Sequence, residues 1–257
     1  MACFLDSNAK LIPTRRIPHM IKVRRFTSTW LMLTLGVSSL LSACSGPTGR
    51  ALDQPKATGQ EIAQQFCSNC HGLDGNSVSP QFPRLAGQQK AYLVNQLTDF
   101  KGHERRDSTG REFMWGINHL TNQQVQELAE IFSMMPPMKS HSNSITINTR
   151  GENIFLNGDP SHNVIACAAC HGPDGSGQGE IPRISGQHQS YLLKQILTFK
   201  YTNDRPRGAL MQQVTHDLNP DDAKNVAAYI EELNHKWGKS RNSKNLDLHQ
   251  IHGAWFN

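Results

Sequence analysis

Cys67-Ser-Asn-Cys-His-Gly-Leu-Asp-Gly75 and, 100 residues later, Cys167-Ala-Ala-Cys-His-Gly-Pro-Asp-Gly175 are the stretches on which this chain is read. They hold four of its six cysteines, in two C-x-x-C pairs that each run directly into a histidine. Working outward, Pro83-Arg-Leu-Ala-Gly-Gln88 recurs as Pro182-Arg-Ile-Ser-Gly-Gln187. Tyr92 to Lys101 recurs as Tyr191 to Lys200, and Leu120 to Phe132 as Leu218 to Ile230. The second half therefore repeats the first, and the 257 residues are expected to hold two similar domains.

Each repeat reads as mostly helical. Short first helices are expected over 59–65 and 151–156. Middle helices over 88–100 and 187–199 carry Tyr92, Leu93, Leu97 and Phe100, or Tyr191, Leu192, Ile196 and Phe199, near helical spacing. A last helix opens at Thr121, or at Asn219-Pro220-Asp221, with a stripe of Val125, Leu128, Ala129 and Phe132, or Ala223, Val226, Ala227 and Ile230. Gly59 precedes Cys67 by eight residues but Gly151 precedes Cys167 by sixteen, so the second repeat inserts a loop around Asn157-Gly-Asp-Pro-Ser161. The expected division is a haem domain over 59–139, a polar linker over 140–150, a second haem domain over 151–235 and a polar tail over 236–257.

That assignment of haem rests on C-x-x-C-H. Two thiols one helical turn apart add across the two vinyl groups, and the adjacent imidazole is pinned under the iron. A C-x-x-C pair alone also suits a redox disulfide or half a zinc site. A four-thiolate zinc site would need the two pairs to converge, whereas each pair sits in its own repeat. Cys67, Cys70 and His71, and Cys167, Cys170 and His171, are thus the expected attachment residues for two haem c groups.

The second axial ligand separates electron transfer from catalysis, since a sixth-position methionine raises the potential and closes the iron. Met211 is the only methionine after Met138 and lies seven residues before Leu218, in the segment expected to be a loop entering the last helix. Met114, six residues before Leu120, takes the matching place. Met134, Met135 and Met138 lack counterparts in the second repeat; His119 and His216 are the alternative ligands. Pro83 and Pro182 could offer carbonyls to the proximal imidazoles. Arg84, Gln88, Tyr92, Arg183, Gln187 and Tyr191 are repeated polar groups beside apolar helices, hence candidates for the haem propionates, against a plain reading as solvated or core-capping residues.

Ahead of the repeats, a basic segment (Lys22, Arg24, Arg25) leads into a short apolar run, Trp30 to Leu41, and then Ser42-Ala43-Cys44. This is an export signal over 1–43, with Met20 an alternative start, and is too short to be read first as a membrane span. Leu41-Ser42-Ala43-Cys44 resembles the bacterial lipobox, which makes Cys44 a lipidation site, residues 44–58 a tether and the mature protein a periplasmic, membrane-anchored lipoprotein. Residues 1–43 carry six Lys/Arg and one acidic residue, so from Cys44 onward 20 basic residues balance 20 acidic ones. A nucleic-acid-binding reading, which needs a positive field, has no support. Arg105-Arg106 is one charge cluster available for docking.

Together, both C-x-x-C-H-G-x-D-G motifs, the P-R-[LI]-[AS]-G-Q segments with their following Tyr and Phe-Lys, and the Met-then-Leu-helix endings resemble the cytochrome c4 family, tandem dihaem class I cytochromes. The resemblance covers about residues 59–235. It implies an all-α fold of two class I cytochrome c domains, each wrapped around one covalent haem with His/Met iron. It also implies electron carriage from a quinol-oxidising complex to a haem-copper terminal oxidase. One departure is Arg111-Glu-Phe-Met-Trp-Gly116, which has a single Met where a Met-richer segment is expected. The competing functions are a dihaem peroxidase, which needs an open iron, and the electron-entry subunit of a periplasmic dehydrogenase.

Overall fold

The computed structural model describes residues 56–137 and 148–241, with side chains in the last helix described to Leu233. The expected export signal, Met20, Cys44, most of the expected tether, Met138, most of the expected linker and the end of the expected tail lie outside the described residues. All described residues fall in one unit, Gly49–Asn257.

The first repeat opens on α1 (Gly59–Ile62), whose start is closed by a capping box between Thr58 and Glu61. It does not stop at residue 65 as expected. A π-helical stretch, Ala63–Cys67, joins it to α2 (Ser68–His71), so one helical path runs into the haem motif. In the second repeat α6 (Thr149–Asn157) ends at Gly158 and is separate from α7 (Ala168–His171). The expected inserted loop lies between them as a 3-10 turn, Pro160–His162, closed by an Asp159–Val164 bridge. Arg150 holds it, pairing with Asp159 at 2.8 Å and with Asp222 of the last helix at 2.7 Å.

The middle helices are α3 (Lys90–Lys101) and α8 (Gln189–Tyr201); the last helices are α5 (Asn122–Met134) and α10 (Pro220–Arg241). The last helix continues past residue 235, where the second domain was expected to end. Thr121 caps α5 in a capping box with Gln124, and Asn219 accepts from the Asp222 N–H at the start of α10. Ile62, Leu93, Phe100, Val125, Leu128 and Phe132 form the first core. Ile154, Phe155, Leu192, Ile196, Val226, Ile230 and Leu233 form the second. The expected stripes are therefore the buried ones, as helical period requires.

Gly59 and Gly151 let the first and last helices of each repeat cross closely. A Cβ on Gly59 would come within 2.5 Å of Glu127 Cβ, and one on Gly151 within 2.1 Å of the Asn225 carbonyl oxygen. No strand is present among the described residues, only two isolated bridges, and no described helix is long and apolar enough to cross a membrane.

The methionine-bearing segments are helical, not loops: α4 (Ser108–Met114) ends at Met114, and α9 (Ala209–Thr215) contains Met211. Asp107 starts α4 by accepting from Gly110 N–H, and the 3-10 turn Pro206–Gly208 starts α9. Short helices opened by an Asp cap or a Pro turn leave little hydrophobic period to read.

Candidate functional site

In both repeats the C-x-x-C-H motif occupies a one-turn helix ending in a glycine with positive φ, Gly72 or Gly172. One turn of helix brings the two cysteines of a pair to one side with the histidine next to the second. Burial raises the Cys67 thiol to about 12 and the Cys167 thiol to about 11. Such thiols are poor redox nucleophiles, which disfavours a catalytic disulfide. Among the described residues no cluster of three or more His, Cys, Asp or Glu suits a metal ion by itself, so the zinc alternative finds no convergence.

His71 and His171 are both buried. His71 Nδ1 lies 2.8 Å from the Pro83 carbonyl oxygen and His171 Nδ1 lies 3.0 Å from that of Pro182. A carbonyl only accepts, so each Nδ1 carries the proton and each Nε2 keeps its lone pair. Burial holds both imidazoles below the usual histidine range, against the opposing pull of the proline carbonyls, and so keeps them neutral. A neutral imidazole with a fixed tautomer, beside two thiols, is the donor set that a covalent haem requires. Arg84 supplies a second sign of fit: it is 2% exposed, yet its Nε has no hydrogen-bond partner. A haem carboxylate would satisfy that donor and its charge.

Between the repeats lies a buried polar interface with approximate two-fold character. The Pro-Arg-x-x-Gly-Gln segments are irregular, so their backbone groups need outside partners. The side-chain amide of Gln187 accepts from Arg84 N–H at 2.9 Å and donates to the Arg84 carbonyl at 2.9 Å. Reciprocally, Gln88 accepts from Arg183 N–H at 2.7 Å and donates to its carbonyl at 2.9 Å. Their recurrence in both repeats has this pairing as a sufficient cause. Arg84 also donates to the Gly186 carbonyl. Gln89 reaches Ser176 at 2.9 Å, and its counterpart His188 reaches the Ser77 carbonyl at 2.8 Å.

A second layer went unread in the sequence. Arg105 and Arg205 are buried, not presented for docking, and lie over the Phe100 and Phe199 rings at 4.4 and 4.9 Å. Both guanidiniums share Gln96 and Gln195, one from each repeat. Arg205 also reaches the Tyr92 hydroxyl at 3.3 Å. Asp107 pairs with Arg105 at 2.6 Å, and Arg207 reaches across to Asp99 at 2.9 Å. Burial alone would raise the Asp107 carboxyl, but the charge and hydrogen bond of Arg105 outweigh it and bring the group below its ordinary range. The signal was present, since Gln96 and Gln195 recur within the middle helices, but a polar repeat on a helix is easily read as a solvated face.

The two methionines are half-buried but differ in register. Gly110 and Gly208 both press on the phenylalanine of the middle helix, at 2.7 Å from Phe100 and 2.3 Å from Phe199 for an added Cβ. Met211 is three residues past its glycine and Met114 four. Phe113, not Met114, stands at the place of Met211, and it meets Phe82 edge-on at 5.2 Å; Phe82 in turn meets His71 at 6.3 Å. Met114 packs against the first core together with Trp115 and Met135. His119 and His216 are exposed.

The cytochrome c family profile matches residues 56–131 and 148–234. Cytochrome c4 of Pseudomonas aeruginosa is 35% identical over 79% of this chain and 96% of its own length. The crystal structure of reduced cytochrome c4 from Pseudomonas stutzeri superposes with a TM-score of 0.61 at 31% identity, covering 68% of this chain and 96% of that one. A thiosulfate dehydrogenase electron acceptor from Stutzerimonas stutzeri is 27% identical over 78% of this chain and 94% of its own. With two cytochrome c domains, each presenting a thiol pair beside a buried, carbonyl-fixed imidazole, the chain belongs to the cytochrome c4 family: an electron-transfer protein that binds two covalent haem c groups.

Proposed function

We propose that the protein is a periplasmic carrier, anchored through lipidated Cys44, that takes electrons from a quinol-oxidising complex and passes them to a haem-copper terminal oxidase. The proposed division is export signal 1–43, tether 44–58, haem domains 59–139 and 151–235 around a linker at 140–150, and a tail from 236. Cys67 and Cys70 would hold one haem, with His71 and Met114 as ligands to its iron; Cys167 and Cys170 would hold the other, with His171 and Met211. Bound haem supplies a one-electron ferrous–ferric couple. The chain's own residues would hold and orient it: Pro83 and Pro182 fix the imidazole tautomers, the methionines would exclude exogenous ligands, and Arg84 would meet a propionate, with Arg183, Tyr92 and Tyr191 as further candidates for that role.

The observation that carries this reading is the duplicated contact of a buried histidine with a proline carbonyl, at 2.8 and 3.0 Å, one residue from a C-x-x-C pair in each half. It is tested by a redox titration that follows the methionine–iron charge-transfer band. Two His/Met haems are expected, and rapid binding of carbon monoxide or cyanide to one native haem would instead favour the peroxidase. The thiosulfate dehydrogenase acceptor among its relatives favours a second donor class, a periplasmic dehydrogenase. Purification from membranes with identification of co-isolated subunits separates the two.

A further inference from the structure

We propose that the proximal histidine of each haem is tuned by the other half of the molecule, through a single peptide group and a glutamine. This deepens the reading of His71 and His171 as iron ligands and rests on it.

The Pro83 carbonyl and the Arg84 N–H belong to one peptide group. Its oxygen accepts from His71 Nδ1 at 2.8 Å, and its N–H donates at 2.9 Å to Gln187 Oε1 of the second repeat. The Pro182–Arg183 peptide is built in the same way: its oxygen accepts from His171 Nδ1 at 3.0 Å, and its N–H donates at 2.7 Å to Gln88 Oε1 of the first repeat. Gln88 and Gln187 are 5% and 3% exposed and Arg84 and Arg183 are 2% and 8% exposed, so water does not compete at these bonds. Two crossed relays result, each running from an imidazole to a side chain of the opposite domain.

An amide whose N–H is engaged by an acceptor becomes a better acceptor at its own oxygen, because the two bonds polarise the same π system. The glutamine thereby strengthens the Nδ1–H bond, makes the imidazole more basic and favours the ferric iron that it would ligate. Removing the glutamine acceptor weakens the imidazole as a donor, so the midpoint potential rises at the opposite haem. Gln88 and Gln187 are therefore positioning residues, each acting on the haem that its own domain does not hold.

The test uses the full-length holoprotein and two pairs of variants, with the haems told apart by their methyl resonances during a redox titration. Gln187→Met should raise the midpoint of the haem attached at Cys67 and Cys70 more than that of the other. Gln88→Met should do the reverse. In the fully reduced protein the Nδ1 proton resonance of His71 should move in Gln187→Met while that of His171 stays. Gln187→Glu and Gln88→Glu keep an acceptor oxygen and strengthen it, so the same haem should shift in the opposite direction; they carry the test if the Met variants do not load haem. Equal shifts at both haems, shifts confined to the substituted half, or shifts of one sign in the Met and Glu variants would overturn the proposal. The ligand reading is checked separately by His71→Ala, which should abolish the low-spin spectrum of the first haem alone; persistence of that spectrum defeats the ligand assignment whatever the glutamines do.

Discussion

The two halves share one plan but reach their haem motif differently. In the first, a helical path widened by a π stretch, Ala63–Cys67, leads straight to His71. In the second, the path breaks at Gly158 and resumes at Ala168, with Arg150 pinning the inserted turn through Asp159 and Asp222. The halves also divide their buried charge unequally: Arg105 has Asp107 two residues on and beside it, whereas two residues on from Arg205 stands Arg207, which crosses to Asp99. What is kept in both halves is the histidine, its proline carbonyl, the glutamine that serves the other half and the buried arginine. Approach to the motif tolerates variation because only its endpoint is constrained by the cofactor. The reciprocal glutamine-to-arginine contacts of the interface do not, because each buried N–H and carbonyl in them needs a partner.

The largest expected effect tests whether the methionines are equivalent despite their different registers. Met211→Ala should remove about half of the methionine–iron band and open the second haem to carbon monoxide, since a sixth ligand is lost outright. Met114→Ala should remove the remainder. If Met114→Ala leaves the band intact, the first half draws its ligand from elsewhere and the symmetry of the two sites fails.

Next in size are the helix crossings. In both variants the new methyl meets an atom fixed to the last helix, but in Gly151→Ala it comes to 2.1 Å from the Asn225 carbonyl oxygen, whereas in Gly59→Ala it stays 2.5 Å from Glu127 Cβ. Denaturant unfolding should show a loss of about 3 kcal/mol for the first and about 1 kcal/mol for the second, the two ends of the usual overpacking range. Equal losses would mean that the crossings are equally compliant.

The unequal charge should appear in acid. Asp107 has a folded-state pKa below its ordinary value, so its contribution is present in full above about pH 4 and is lost as pH falls through the lower, folded value. Asp107→Asn should flatten that part of the stability–pH curve and leave the neutral-to-alkaline part unchanged in shape. An unaltered acid limb would place the acid sensitivity outside the Arg105 pair. The smallest effect belongs to Lys90, whose ion pair with Glu130 is about half exposed on both sides and has no counterpart at Gln189. Lys90→Ala should change stability by less than about 1 kcal/mol in thermal melts, and less still at high salt.

The amino-acid order alone determined that there are two cytochrome domains, all helical, each with a covalent haem motif. Covalent attachment needs its cysteines and histidine adjacent in the chain, and a duplicated unit announces itself by repetition. The buried stripes of α5 and α10 were equally legible, because helical period is a local property. The proline carbonyls were anticipated as partners of His71 and His171, and the geometry places them there. Only the tertiary structure revealed that Gln88 and Gln187 serve each other's domain, that Arg105 is buried rather than displayed, and that the segments bearing Met114 and Met211 are helical. Those facts depend on which surface of one domain faces the other and on the helical phase of α4 and α9. Both are set by long-range packing, which leaves no period and no fixed spacing in the sequence.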